Sequence, residues 1–379
     1  MIPLSLYIHI PWCIRKCPYC DFNSHKIVGP LPEGLYIDAL INDLKQDVSC
    51  LGKRVINSIF IGGGTPSLIS AKGYARLFDE IQNSLDFVSN IEITLEANPG
   101  TTEHGLFRDY LSVGINRLSL GIQSFNSSHL KKLGRIHGSA EASQAIISAR
   151  KAGFDNINID IMHGLPDQTK EEAISDLEMA LSFQPEHLSW YQLTIEPNTV
   201  FYKINPRLPE DEITISIEQA GFEILANARY SRYEISAFCK NDKYSRHNLN
   251  YWLFGDYLGI GAGAHGKLSF PDLQKIYRTR KYRQPKDYLN NTKALAEKTF
   301  LSKEDLIFEF MLNVTRLDQG IPRSLFTSRT LLPYNEITDL LDKSAKKGLI
   351  KLSENGWQVT DLGRKFTNNL QEIFLIDKA

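Results

Sequence analysis

The sequence predicts an α/β fold: a partial parallel (βα)6-type barrel followed by a small, mainly helical, winged-helix-like C-terminal domain. Three observations carry that expectation. Short apolar runs alternate with amphipathic helical stretches, with six such units before residue 200. Polar or glycine-rich clusters follow directly on the ends of several apolar runs, the face where parallel α/β folds place their sites. Beyond about residue 295 the alternation gives way to helices around a short hairpin. Strand–helix alternation at this spacing implies parallel strands joined by right-handed crossovers, which suits a full or partial barrel better than an antiparallel sandwich.

In chain order, "LSLYIHI" (4–10) reads as the first strand and 33–48 as the first helix. "INSIFI" (56–61) is the second strand, followed by a helix over 70–85. "IEITLEA" (91–97), "INRLSLGI" (115–122), "NINIDIM" (156–162) and "HLSWYQLT" (187–194) continue the series. From about 197 the pattern loosens, with a long helix near 212–228 and a Gly-rich turn, "GIGAGAHG" (259–266). Helical patterns at 303–314, 333–347 and 361–372 surround the hairpin "LIKLSENGWQVT", with its turn at Glu354-Asn355-Gly356. These breaks divide the chain into a barrel core over 1–235, a connecting region over 236–295 and the C-terminal domain over 296–379. Acidic and basic residues are mixed in that last domain, which argues against DNA binding and leaves a lid or a partner-docking role open.

The totals exclude several classes. Forty-three basic residues stand against 44 acidic ones, so no electrostatic footprint for nucleic acid or an anionic membrane surface exists. No apolar run approaches the roughly 20 residues that span a bilayer. Met1-Ile-Pro-Leu-Ser-Leu-Tyr lacks the flanks of a signal peptide. An odd count of five cysteines, without an export signal, points to thiols in a reducing cytoplasm.

Three of those cysteines, Cys13, Cys17 and Cys20, share the loop "HIPWCIRKCPYCDFNSH". Soft thiolates at x3 and x2 spacing can wrap one face of a cubane iron–sulfur cluster, each sulfur binding one iron. A [4Fe–4S] cluster normally takes four cysteines, so three leave one iron for an exchangeable ligand. Zinc completed by His9 or His25, or an incidental group of buried thiols, are the alternatives. Zinc sites prefer paired C-x2-C elements, and the second pair is absent. Cys50, at the end of the first helix, reads as a bystander.

Tyr19 before the third cysteine, and the loop's place after the first strand of a βα barrel, give the motif its resemblance. It resembles the radical S-adenosylmethionine superfamily. That likeness implies a [4Fe–4S] cluster on Cys13, Cys17 and Cys20, with S-adenosylmethionine bound at the unique iron and one-electron cleavage of its sulfonium supplied by the cofactor.

Further stretches extend the likeness. In "FIGGGTPSLI" (60–69) the glycines let backbone approach a ligand closely, though most glycine runs are merely turns. The superfamily receives the amino group of S-adenosylmethionine here, which implies that role for Gly63, Gly64 and Thr65. Glu96 stands near the end of the third strand, able to bind a ribose hydroxyl or ammonium, or simply to face solvent. Gln123 lies beyond the fourth strand, Arg135 soon after, and Asp160 inside an apolar strand where an unpaired acid is costly. With Tyr7, Tyr19 and His265, these positions resemble the S-adenosylmethionine contacts of the oxygen-independent coproporphyrinogen III oxidase group. The likeness runs from Tyr7 to His265.

That group contains both the oxidase and the haem chaperone family HemW. The oxidase carries another cysteine two positions after the third ligand, where this sequence has Phe22. It also has an N-terminal extension, whereas here the first strand begins at once. "RHNLNYW" (246–252) matches the H-N-x-x-Y-W signature of the chaperone family through His247, Asn248, Tyr251 and Trp252. Neutral imidazole is a common haem ligand, Tyr251 falls one helical turn from His247, and Trp252 offers apolar surface for a porphyrin face. A helix cap with core aromatics is the plain alternative. The resemblance implies a cytoplasmic haem chaperone that hands haem to acceptor haemoproteins, those of respiration in particular, with a homodimer left open. His247 is the expected haem ligand and Cys239 the alternative thiolate. The oxidase, decarboxylating coproporphyrinogen III, is the rival reading; no catalytic residue is assigned, and the residues do not decide whether S-adenosylmethionine is cleaved.

Overall fold

The computed structural model describes residues 2–49, 51–52, 54–100 and 104–376, so Cys50 lies outside the described residues. Six of the apolar runs form parallel strands: β1 (Leu4–Ile10), β2 (Val55–Gly63), β3 (Asp86–Ala97), β4 (Arg117–Gln123), β5 (Ile157–His163) and β6 (His187–Gln192). Each pairs in parallel with the next. β1 and β5 are buried at six of their seven positions although "LSLYIHI" and "INIDI" alternate in polarity, so their second face buries Ser5, His9 and Asn158. The register sets Tyr7 beside Phe60, Glu96 beside Ser119 and Asp160 beside Ser189.

Beyond β6 the chain adds β7 (Ser231–Glu234) and β8 (Ala237–Cys239), then β9 (Asp256–Ile260), β10 (His265–Phe270), β11 (Lys275–Lys281) and β12 (Leu295–Phe300). β9 lies parallel to β1 on its free side, giving a seventh parallel strand. The full order is β12-β11-β10-β9-β1-β2-β3-β4-β5-β6-β8-β7, a twelve-stranded sheet with two ends, as a partial barrel requires. The Gly-rich turn shrinks to 261–264 between β9 and β10.

Helices cover the sheet where expected, at Glu33–Val48, Ala71–Ser84 and Asp211–Asn227. Local chemistry sets their ends: Ser70 accepts from the Gly73 amide, and Thr169 with Glu172 forms a capping box on Lys170–Ser182. Gly221 lets the helix Asp211–Asn227 lie against the Trp190 ring, which any Cβ there would strike.

The C-terminal region builds a separate apolar cluster around Phe310, Met311, Phe326 and Trp357. Its helices are Lys303–Val314, Arg323–Thr330 and Thr338–Lys346, around a sheet of β13 (Ile321–Pro322), β14 (Ile350–Ser353) and β15 (Gly356–Val359). Three expectations need correction here. The helix expected from 333 opens as a 3-10 turn, Tyr334–Ile337, after Pro333. The helix expected over 361–372 breaks at Phe366, whose ψ of 43° is not helical. The hairpin turn is Glu354-Asn355 alone, because Gly356 already pairs with Ser353 and lets β13 approach through the Ile321 carbonyl. Arg316 and Glu234 (2.9 Å) and Arg232 and Asp318 (3.0 Å) tie this region to β7. Among the described residues no helix is long and apolar enough to cross a membrane.

Candidate cofactor site

The cysteine loop leaves β1 at Ile10 and is closed by a two-residue parallel bridge, Trp12–Cys13 against His25–Lys26. The glycine run at the end of β2 holds it. The amide of Gly64 donates to the Ile10 carbonyl and that of Thr65 to the Trp12 carbonyl, both at 2.7 Å. Gly63 has φ of 112°, and a Cβ on it would meet the His9 ring at 2.5 Å. A Cβ on Gly64 would overlap the Trp12 carbonyl. The glycines therefore seat the cysteine loop as well as lining the cavity, a task the sequence reading missed.

Cys13, Cys17 and Cys20 line one cavity of about 440 Å³, together with Tyr19, Gly63, Gly64, Thr65, Glu96, Gln123, Arg135 and Asp160. Burial pushes the Cys13 thiol up, opposed by the Thr65 and Ser24 hydroxyls, and pushes Cys20 up against the Phe22 backbone and Ser24. Arg135 Nη1 stands 3.7 Å from Cys17 Sγ, and its Nη2 donates to Asn98 Oδ1 at 2.6 Å. Zinc needs ligands converging on one ion, and among the described residues no three His, Cys, Asp or Glu side chains do so. His9 has both ring nitrogens engaged, Nδ1 with Tyr7 Oη (2.9 Å) and Nε2 with the Asn23 carbonyl (2.8 Å). A cubane asks each thiolate to meet a different iron, so three thiols that line one cavity without converging on a point fit a cluster better.

Glu96 accepts from the Gly63 amide at 3.2 Å, and burial, followed by the nearby Asp160, pushes its carboxyl up to about 8. Asp160 is paired, as the cost of an unpaired acid in an apolar strand requires. Ser119 Oγ donates to it at 3.0 Å and Asn158 Nδ2 at 2.8 Å, which oppose the upward pull of burial. Gln123, in the left-handed region at φ of 71°, turns off the end of β4, and Tyr191 Oη donates to its Oε1 at 2.7 Å. Tyr19 is buried enough that its phenol stays protonated.

Tyr7 and His265 lie elsewhere. They line an adjoining groove of about 470 Å³ that shares Gly63 and Glu96 with the cavity. Phe22, 58% exposed, lines both spaces at their common edge. Arg280 and Arg283 also line the groove; the sequence reading passed over them, although the cation-rich run "KIYRTRKYR" (275–283) held the signal.

The H-N-x-x-Y-W motif forms the helix Arg246–Trp252, capped by Ser245, whose Oγ accepts from the Asn248 amide. His247 is wholly buried. Its Nδ1 meets Ser58 Oγ at 3.1 Å and its Nε2 meets Tyr251 Oη at 2.8 Å. Burial, with Arg117 adding to it, pushes the ring down to about 3, so it is neutral and has no free nitrogen. Tyr251 faces the groove, while Trp252 stacks under the Arg316 guanidinium, 4.2 Å from its ring centre. Cys239 is buried in β8, its thiol pushed up to about 11 by burial and then by Asp242.

Residues 7–180 match the Radical SAM superfamily, and residues 301–366 match the HemN C-terminal domain. The fold is similar to that of coproporphyrinogen III oxidase (HemN) from Escherichia coli, a radical SAM enzyme. The TM-score is 0.82 at 24% identity, covering 98% of this chain and 90% of that one. Fold and thiol-lined cavity thus define a radical SAM protein. Among curated relatives, the heme chaperone HemW of Haemophilus influenzae is 48% identical over 380 residues, 99% of each chain. That of E. coli K12 is 47% identical over 375 residues, again 99% of each. The chain belongs to the HemW family.

Proposed function

We propose that this protein is a haem chaperone, which binds haem and transfers it to acceptor haemoproteins, those of respiration among them. The observation that carries the reading is the joining of three thiols and a glycine cradle in one cavity, in a chain 48% identical to a heme chaperone along its whole length. In this reading Cys13, Cys17 and Cys20 hold a [4Fe–4S] cluster. Gly63, Gly64, Thr65, Glu96, Gln123, Arg135, Asp160 and Tyr19 are the candidate contacts for S-adenosylmethionine. When bound, the pair supplies one-electron chemistry at a sulfonium. The chain's own part is to position: the Gly64 and Thr65 amides hold the cysteine loop and the Gly63 amide holds Glu96, Arg135 braces the cavity between Cys17 and Asn98, and Phe22 lines the mouth. We further propose a barrel core over 1–235, a connecting region over 236–295 and a C-terminal domain from 296.

Anaerobic incubation with coproporphyrinogen III, a reductant and S-adenosylmethionine should give no protoporphyrinogen, whereas haem-loaded protein should pass haem to an apo-haemoprotein. Turnover of the porphyrinogen would overturn the chaperone reading. Cys17→Ser should lose the brown absorbance and most bound iron while the far-ultraviolet circular dichroism is retained. An undiminished cluster spectrum would refute the ligand assignment.

A further inference from the structure

The cargo's place is not given by the cluster cavity, and the motif histidine is sealed. Three features of the neighbouring groove address it. Its walls carry four aromatic rings, Tyr7, Phe22, Tyr251 and Tyr257, the last two in edge contact with centroids 4.5 Å apart. Its rim carries two exposed guanidiniums, Arg280 and Arg283. Arg280 donates through Nε and Nη2 to Glu297, and Arg283 through Nε to Asn23, so both are oriented by partners on one side only. Between rim and wall sits His265, exposed and without a hydrogen bond among the described residues, directly across the β10–β11 ladder from Arg280. The other histidine of the groove, His9, has both nitrogens occupied.

Aromatic walls, paired cations and one free imidazole select a flat, apolar, dianionic ligand carrying a metal. We infer that this groove takes the haem cargo, with Arg280 and Arg283 on the propionates and His265 at the iron. The inference rests on the chaperone reading and gives that function its site. Guanidinium forks suit carboxylates in two-point contact, and the volume of about 470 Å³ lies in the range of ligand pockets. His247 then acts as a positioning residue: its Nε2 fixes the hydroxyl of Tyr251, which forms part of the wall. Because Gly63 and Glu96 belong to both spaces, an occupant of the groove would border the cluster cavity directly.

The test titrates ferric haem into the full-length protein and follows the Soret band. Arg280→Ala/Arg283→Ala should raise the dissociation constant by about tenfold or more. Haem dimethyl ester, which lacks the carboxylates, should bind wild type and double variant equally. His265→Ala should shift the Soret maximum, and free imidazole should restore it. Unchanged haem affinity in the double variant, or an ester bound by wild type as tightly as haem, would overturn the groove while the chaperone reading stands. Variants that lose only S-adenosylmethionine in equilibrium dialysis would overturn it too, assigning the groove to that ligand. Wild-type protein that takes up no haem at all removes the chaperone reading and this inference together.

Discussion

Burial, and after it the neighbouring Asp160, raises the Glu96 carboxyl to about 8, so it keeps its proton at neutral pH. An unfolded chain releases that proton near pH 4. Between these values the unfolded state binds fewer protons than the folded one, so stability falls as pH rises from about 4 to 8. Glu96→Gln removes this contribution, and its urea midpoint should decline less than wild type's between pH 5 and pH 8; parallel declines would show that Glu96 is already ionised. His247 works in the opposite direction. Its neutral ring satisfies both Ser58 and Tyr251, so His247→Ala should cost about 1–2 kcal/mol, because the half-buried Tyr251 hydroxyl loses its partner while Ser58 keeps only Ser5. Equilibrium denaturation measures that loss. A stability equal to wild type would mean that water enters and replaces the ring.

Glycine positions decide how elements meet. Gly64→Ala would press a methyl group into the Trp12 carbonyl and break the hydrogen bonds from the Gly64 and Thr65 amides that seat the cysteine loop. Reconstituted iron per chain should therefore drop severalfold, with the secondary structure kept. Gly356→Ala should lower stability by about 1–3 kcal/mol, by forcing β13 away from β15. The parallel strands β1 to β6 were legible in sequence because most set apolar residues, chiefly Ile and Leu, at alternate positions for burial on one face. β9 was not, since its first residue, Asp256, is buried in an ion pair with Lys267 (2.9 Å) and Arg54 (2.8 Å), which breaks the apolar run. β11 and β12 were missed because sequences such as "LAEKTF" present mostly exposed positions at the sheet's antiparallel edge. At the site, the cysteines were legible since cluster chemistry fixes both residue type and spacing. The groove was not, because Tyr251, His265 and Arg280 come together only after that edge folds back across β9.

For the whole molecule, the question is what keeps the C-terminal region on the barrel. Its apolar cluster already includes Phe254 and Ile276 from the sheet side, so it cannot leave without exposing both. The polar part of the contact is more specific. Glu234 of β7 is 5% exposed at its side chain and meets Arg316, whose guanidinium also covers Trp252 of the H-N-x-x-Y-W helix. Removing the cation leaves a buried carboxylate with no neutralising partner, and the lost stacking uncovers Trp252. Arg316→Ala should therefore speed amide exchange over 303–376 by at least about tenfold, equivalent to some 1.4 kcal/mol, and leave β1 to β5 protected as before. Restoring neutrality with Arg316→Ala/Glu234→Gln should recover part of the protection, because the costly charge is gone even though the ring stays bare. Equal exchange in wild type and the single variant would show that the apolar cluster alone fastens the region, and that the ion pair serves only to orient Trp252.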